Sequence, residues 1–163
     1  MLTICKSVHT LFKRIKMTSE NLQLHGAITA HLIKPDGTVY TTQKNNMIVN
    51  VGFDFIADAI GASSSRPGPM NVIAVGTGST AVQATQSQLV TQLAYKAATY
   101  NHTTQTKVFT FSTTFNPGEA TGAITEAGVF NGNKGKMLDR VVFSVINKGA
   151  EDTLTVTFTF TMA

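Results

Sequence analysis

The chain has 163 residues, enough for one domain with a two-layer core. Charged residues make up only 13% and hydrophobic residues 42%, against a usual charged share of about 25%, so the surface is polar mainly through Thr, Ser, Asn, Gln and Gly. The net charge is +4, yet Lys6, Lys13, Arg14 and Lys16 all precede the first acid, Glu20, and from Met17 onward nine bases balance nine acids; without a basic stripe interleaved with aromatics, the body is not expected to bind nucleic acid.

The first 17 residues, MLTICKSVHTLFKRIKM, do not read as a secretory signal. Their strongest positive cluster follows the apolar part, and no small-residue cleavage site stands out. Ile4, Val8, Leu11, Phe12 and Ile15 recur at helical spacing, with the basic residues mostly elsewhere. Residues 1–20 therefore read as a basic amphipathic N-terminal arm ahead of a β-domain over 21–163. The arm is expected to order when it docks, with Ile4, Val8, Leu11, Phe12, Lys13, Arg14 and Ile15 making the contact. A membrane-surface helix and an upstream extension before a true start at Met17 are the other readings. No run of about 18 apolar residues occurs, so no span and no stable membrane association is expected.

LQLHGAITAHLIKPDGTVYTTQKNNMIV reads as a hairpin turned at Pro35-Asp36-Gly37, with Ile28, Ala30 and Leu32 alternating against Thr29, His31 and Ile33. NVGFDFIADAIGA is the helix candidate: Asn50 as N-cap, Phe53, Ile56, Ala57 and Ile60 as the apolar face, Gly61 as the stop. SSSRPGPM is a loop. VIAVGTG is a short buried strand ending in a glycine turn, and STAVQATQSQLVTQLAY an extended loop with one helical turn. TKVFTFSTTF puts Phe109, Phe111 and Phe115 on one face. AITEAGVF, the NGNKGK hairpin loop, MLDRVVFSVI and DTLTVTFTFTM follow. Strands spaced by such turns, without alternating helices, predict an all-β fold: an antiparallel β-sandwich, jelly-roll or Ig-like, with one short helix.

Signals for chemistry are sparse. VGTGST matches neither phosphate-loop pattern, and no G-x-S-x-G occurs. His9, His25, His31 and His102 are scattered, and one cysteine, Cys5, excludes a disulfide framework or a cysteine-rich zinc site; no metal and no cofactor is expected. Glu126 lies inside a strand, where a charge needs a partner, and Arg140 in the next strand can reach it across a hairpin. A structural Glu126–Arg140 pair, a solvent-facing Glu126 and a catalytic acid are the three readings. No second carboxylate stands ready to share acid–base work, so no enzyme is expected.

TLTVTFTFTM alternates Leu154, Val156, Phe158 and Phe160 with Thr153, Thr155, Thr157, Thr159 and Thr161. One face is apolar and the other purely threonine. An ice-binding array would need neighbouring rows in register, and DRVVFSVINK, taken as the neighbour, has none. A solvated face and a subunit contact through Thr155, Thr157 and Thr159 remain, and the low surface charge favours contact.

From about Asn46 to the end, the chain resembles a β-sandwich module of tailed-bacteriophage virion proteins. The similar pieces are GFDFIADAI, then IAVGTGSTAVQATQSQLVTQL, then GAITEAGVFNGNKGKMLDRVVFSVINKGAEDTLTVTFTFT. In that family a strand ending in Gly-Thr-Gly precedes a leucine-containing stretch. An Ile-Thr-Glu-Ala-Gly strand then leads through a glycine hairpin to an arginine strand and a threonine-alternating strand. The chain departs from the pattern at QLAYKAA, where such proteins often place an arginine or other charged residue. The resemblance implies a non-enzymatic virion protein, made in the host bacterial cytoplasm. A capsid-surface decoration or cement protein is favoured, because a lone compact domain with an adhesive arm suits stapling a shell. Its expected partners are the major capsid protein and further copies of itself. The rival is a tail, baseplate or fibre-attachment component bound to tail or baseplate proteins. A carbohydrate-binding module is the second rival, with Tyr40, Tyr95 and Tyr100 as platforms.

Overall fold

The computed structural model of the protein describes residues 22–133 and 135–163. Ile4, Val8, Leu11, Phe12, Lys13, Arg14 and Ile15, and the boundary drawn after residue 20, lie outside the described residues.

Alternation and turn chemistry build two antiparallel five-stranded sheets. The first contains β1 (Leu24–Ile33), β2 (Val39–Asn45), β6 (Thr99–His102), β7 (Val108–Phe115) and β10 (Thr153–Met162), in the order β2-β1-β10-β7-β6. The second contains β3 (Met47–Ile48), β4 (Val72–Gly76), β5 (Gln92–Ala97), β8 (Gly122–Phe130) and β9 (Met137–Lys148), in the order β3-β9-β8-β4-β5. One helix, α1 (Asn50–Gly61), links β3 to β4. The β1–β2 turn shows the local logic: Gly37 takes a φ of 85°, and the Asp36 carboxylate accepts the Thr38 N–H at 2.9 Å.

Between the sheets, Ile28, Ala30 and Leu32 of β1 and Leu154, Val156, Phe158 and Phe160 of β10 meet Ile73, Val75, Ile124, Ala127, Val129 and Val141 of the second sheet. Phe109 stacks on Phe160 at 5.2 Å between ring centroids, so the aromatic face of β7 joins the same core. A second cluster, with Val72, Ala74, Leu89, Phe130 and Met137, lies on the opposite side of β4, β8 and β9. At one corner Gln23, just ahead of β1, pairs with Ala163: Gln23 N–H donates to the Ala163 carbonyl at 2.8 Å, and Ala163 N–H donates back at 2.9 Å.

Four expectations need correction. Asn50 is the first helical residue; Val49 holds the cap position without a side-chain hydrogen bond. Of the expected helix face, Ile56 packs against the main core but the rest does not. Gly52 and Phe55 are buried, while Phe53 is 54% and Ile60 79% exposed, and Ala57 is also exposed. The smallest residue decides this: a methyl group at Gly52 would collide with the Leu138 carbonyl, so only that side of α1 can approach β9. Nor does β10 pair with β9. The Gly149–Asp152 turn carries the chain from one sheet to the other, held by Asp152 Oδ2 accepting Gly149 N–H and Lys34 Nζ, both at 2.7 Å. The true neighbours of β10 are β1 and β7. The helical turn expected within 79–95 is absent: 77–91 is an irregular loop, and Gln92–Tyr95 already belong to β5.

Candidate functional site

Glu126 leaves β8 on the side away from the main core, beneath the loop 77–91. Its Oε1 accepts the backbone N–H groups of Gly78 at 3.0 Å and Thr91 at 2.7 Å, and its Oε2 accepts that of Val90 at 3.0 Å. Arg140 Nε donates to the same Oε2 at 2.8 Å. Nη2 also lies 2.8 Å from it, outside hydrogen-bond alignment, and so adds charge rather than a bond. Nη1 donates to the Thr80 carbonyl at 3.0 Å and to Gln86 Oε1 at 2.9 Å. Both charged side chains are fully buried.

This geometry explains why glycine flanks Thr77. A methyl group at Gly78 would collide with Glu126 Oε1 and lie 2.7 Å from Val90 Cβ; at Gly76 it would strike the Thr91 carbonyl. The backbone must come this close to serve the carboxylate. Glu126 spends both oxygens on the fold and has no path to solvent, so nothing about it suits proton transfer to a substrate. Gly78, Thr80, Gln86, Val90 and Thr91 were not singled out from sequence. The signal that could have found them is the pairing of a Gly-Thr-Gly turn with a glutamate buried in a later strand.

On the outer face of the first sheet, Thr155, Thr157 and Thr159 lie half-buried among other short polar side chains. Thr155 stands between His31 and Thr114, Thr157 between Thr29 and Ser112, and Thr159 between Ala27 and Thr110. Ser112 and Thr157 hydroxyls bond at 2.9 Å, those of Thr114 and Thr155 at 3.0 Å, and His31 Nδ1 lies 2.9 Å from Thr41 Oγ1. The rows continue through Thr41, Gln43 and Asn45 on β2, and Thr99 and Asn101 on β6. Among the described residues, no Asp, Glu, Lys or Arg projects from this five-strand face. A matching hydroxyl row, absent from β9, is thus present on β7, whereas β1 offers Thr29 between His31 and Ala27. TKVFTFSTTF carried the clue, since its Thr110, Ser112 and Thr114 alternate with phenylalanines as the threonines of β10 do.

Other candidates disperse. Tyr40 and Tyr100 sit on opposite edge strands of the first sheet and Tyr95 on an edge strand of the second, so they build no common platform. Tyr100 instead packs on Phe111, with centroids 5.4 Å apart. Among the described residues, no cluster of three or more His, Cys, Asp or Glu side chains is placed to hold a metal, and no helix is long and apolar enough to cross a membrane. Comparison with protein-family models, with curated proteins and with solved structures returned no match.

Proposed function

We propose that the protein is a non-enzymatic structural component of a tailed-phage virion that binds the particle surface as a decoration or cement protein. The observation that carries the assembly role is the uncharged, hydroxyl-lined face of the β2-β1-β10-β7-β6 sheet. Interface cores are depleted in charge. Short, β-branched hydroxyl side chains lose little rotamer freedom when covered and can bond a partner's backbone. The resemblance to virion modules supplies the setting: its Gly-Thr-Gly, Ile-Thr-Glu-Ala-Gly and arginine-strand pieces converge on the Glu126–Arg140 clasp, as parts of one structural unit would. On this reading the threonine face meets the major capsid protein or a neighbouring copy.

The test adds purified protein to phage particles lacking it, then separates bound from free by sedimentation. The parent chain should bind the shell, and Thr157→Lys and Thr159→Lys should each weaken binding, because the new charge would be covered without a partner. Parent-like binding by both lysine variants would leave the face to water. Labelling confined to the tail or baseplate would move the protein to that part of the particle. Binding to a glycan array but to no part of the particle would favour the carbohydrate module.

A further inference from the structure

The exposed apolar side chains of α1, Phe53 and Ile60, do not face open water alone. Between α1 and the β6–β7 edge lies an open groove of about 760 Å3. Phe53, Ile56 and Ile60 line it from the helix, Tyr100 and Phe109 from the sheet, and Leu22 where the described chain begins. Leu22 is 80% exposed and Ile60 79%, with Phe53 and Tyr100 more than half exposed. A continuous apolar surface of this kind marks a docking site.

The sequence supplies an occupant of the right pattern at the right place. Residues 3–16, whose apolar side chains recur at helical spacing, precede Leu22 by a five-residue join. As a helix, residues 3–16 would span about 21 Å, at about 1.5 Å per residue. The joining residues 17–21 extend at most about 3.5 Å each, a short tether beginning at a residue that itself lines the groove. Charge points the same way through Asp54 of α1, Asp58 being already paired with Lys136 Nζ at 2.8 Å, since residues 1–16 carry four bases and no acid.

We propose that the face formed by Ile4, Val8, Leu11, Phe12 and Ile15 docks into this groove of its own chain, the helix-in-groove mode of peptide recognition. The tether favours the same chain over a second copy, because a short linker holds the segment at a local concentration in the millimolar range. The proposal concerns the free protein and stands apart from its place in a particle.

Cys5, the sole cysteine, allows a nitroxide label in the full chain without substitution. In protein with isotopically labelled methionine methyls, Met70 and Met162, both of which line the groove, report on it. The label should more than halve their peak heights. The effect should vanish in Ile60→Asp, a change at an exposed position that leaves the fold intact, and again in Phe12→Asp. It should be absent when spin label and isotope are on different molecules. Broadening that persists in the mixed sample would assign the groove to a second copy. No broadening, or broadening untouched by Ile60→Asp, would overturn the proposal.

Discussion

Arg140 stands opposite Gly128, not opposite Glu126, and reaches the carboxylate along the diagonal of the β8–β9 ladder. The missing side chain at Gly128 and a register shift between Ile124 and Glu126 accompany that diagonal. The guanidinium therefore serves two masters, the glutamate and the loop 77–91, through Thr80 and Gln86.

Replacing Glu126 with Gln strands the buried guanidinium and weakens three backbone hydrogen bonds, so a loss of about 3–5 kcal/mol is expected in urea unfolding. The double change Glu126→Leu with Arg140→Met removes both charges and should recover part of that loss. A double variant as unstable as the sum of the singles would show that the two residues do not act as a pair.

Glycine tolerance separates the clasp from ordinary turns. Gly78→Ala pushes a methyl group into Glu126 and Val90, and should lower the melting temperature and speed amide exchange at Val90 and Thr91. Gly61→Ala, where a methyl group meets nothing within 4 Å, should be neutral or slightly stabilising at the end of α1. Equal effects at the two positions would contradict the close approach.

Asp139 makes stability depend on pH. Burial pushes its carboxyl from 3.8 up to about 7, although hydrogen bonds from Asn46 Nδ2 and Val129 N–H pull the other way. The folded chain keeps this proton to about pH 7, while the unfolded chain releases it near 3.8. Stability should therefore fall as pH rises from about 4 to about 7 and level off above that. Asn46 Oδ1, buried without a partner, would gain one if the amide turned over to face a protonated Asp139. Asp139→Asn keeps an acceptor for Val129 and carries no charge. It should flatten the pH–stability curve in that window and melt higher than the parent at mildly alkaline pH; an unchanged slope would place its origin elsewhere.

The two faces of β10 should respond oppositely. Phe158 is fully buried, and Phe158→Ala should cost about 3–5 kcal/mol through the cavity it leaves. Thr157→Lys should shift the unfolding midpoint of the isolated protein little, since the lysine can reach water from the outer face. A large loss from Thr157→Lys would mean that the hydroxyl rows hold the sheet itself.

The strands were legible wherever one face is buried and the other wet, as in β1, β7 and β10, because alternation records that asymmetry directly. Strands β5 and β6 were not anticipated. They lie at sheet edges, most of their residues are exposed, and no alternation is imposed on them. Helix α1 was legible in extent but not in orientation. Periodicity marks Phe53, Ile56 and Ile60 as a stripe, whereas backbone approach at Gly52 decides which side meets the sheet. Strand neighbours were misjudged for a similar reason. A four-residue turn after β9 looks like a hairpin in sequence, yet it crosses the sandwich. Glu126 and Arg140 were conspicuous as charges in strands, but their backbone partners became visible only once the loop 77–91 was in place.

The order β2-β1-β10-β7-β6 sets a timetable for synthesis. The strand at the centre of the first sheet is the last element translated in this sequence, so the β1–β2 and β6–β7 hairpins wait on the ribosome with one edge open. Strands β3, β4, β5, β8 and β9 pair only among themselves and all precede β10, so they can assemble first. Open edges on a nascent chain are a pairing hazard, and here they persist until Thr153–Met162 emerges. Nascent chains stalled before Thr153 should be cut by protease within the β1–β2 hairpin, and chains extended past Met162 by a linker long enough to clear the exit tunnel should be protected there. Protection before β10 emerges would show that the two hairpins find a way to fold without their centre.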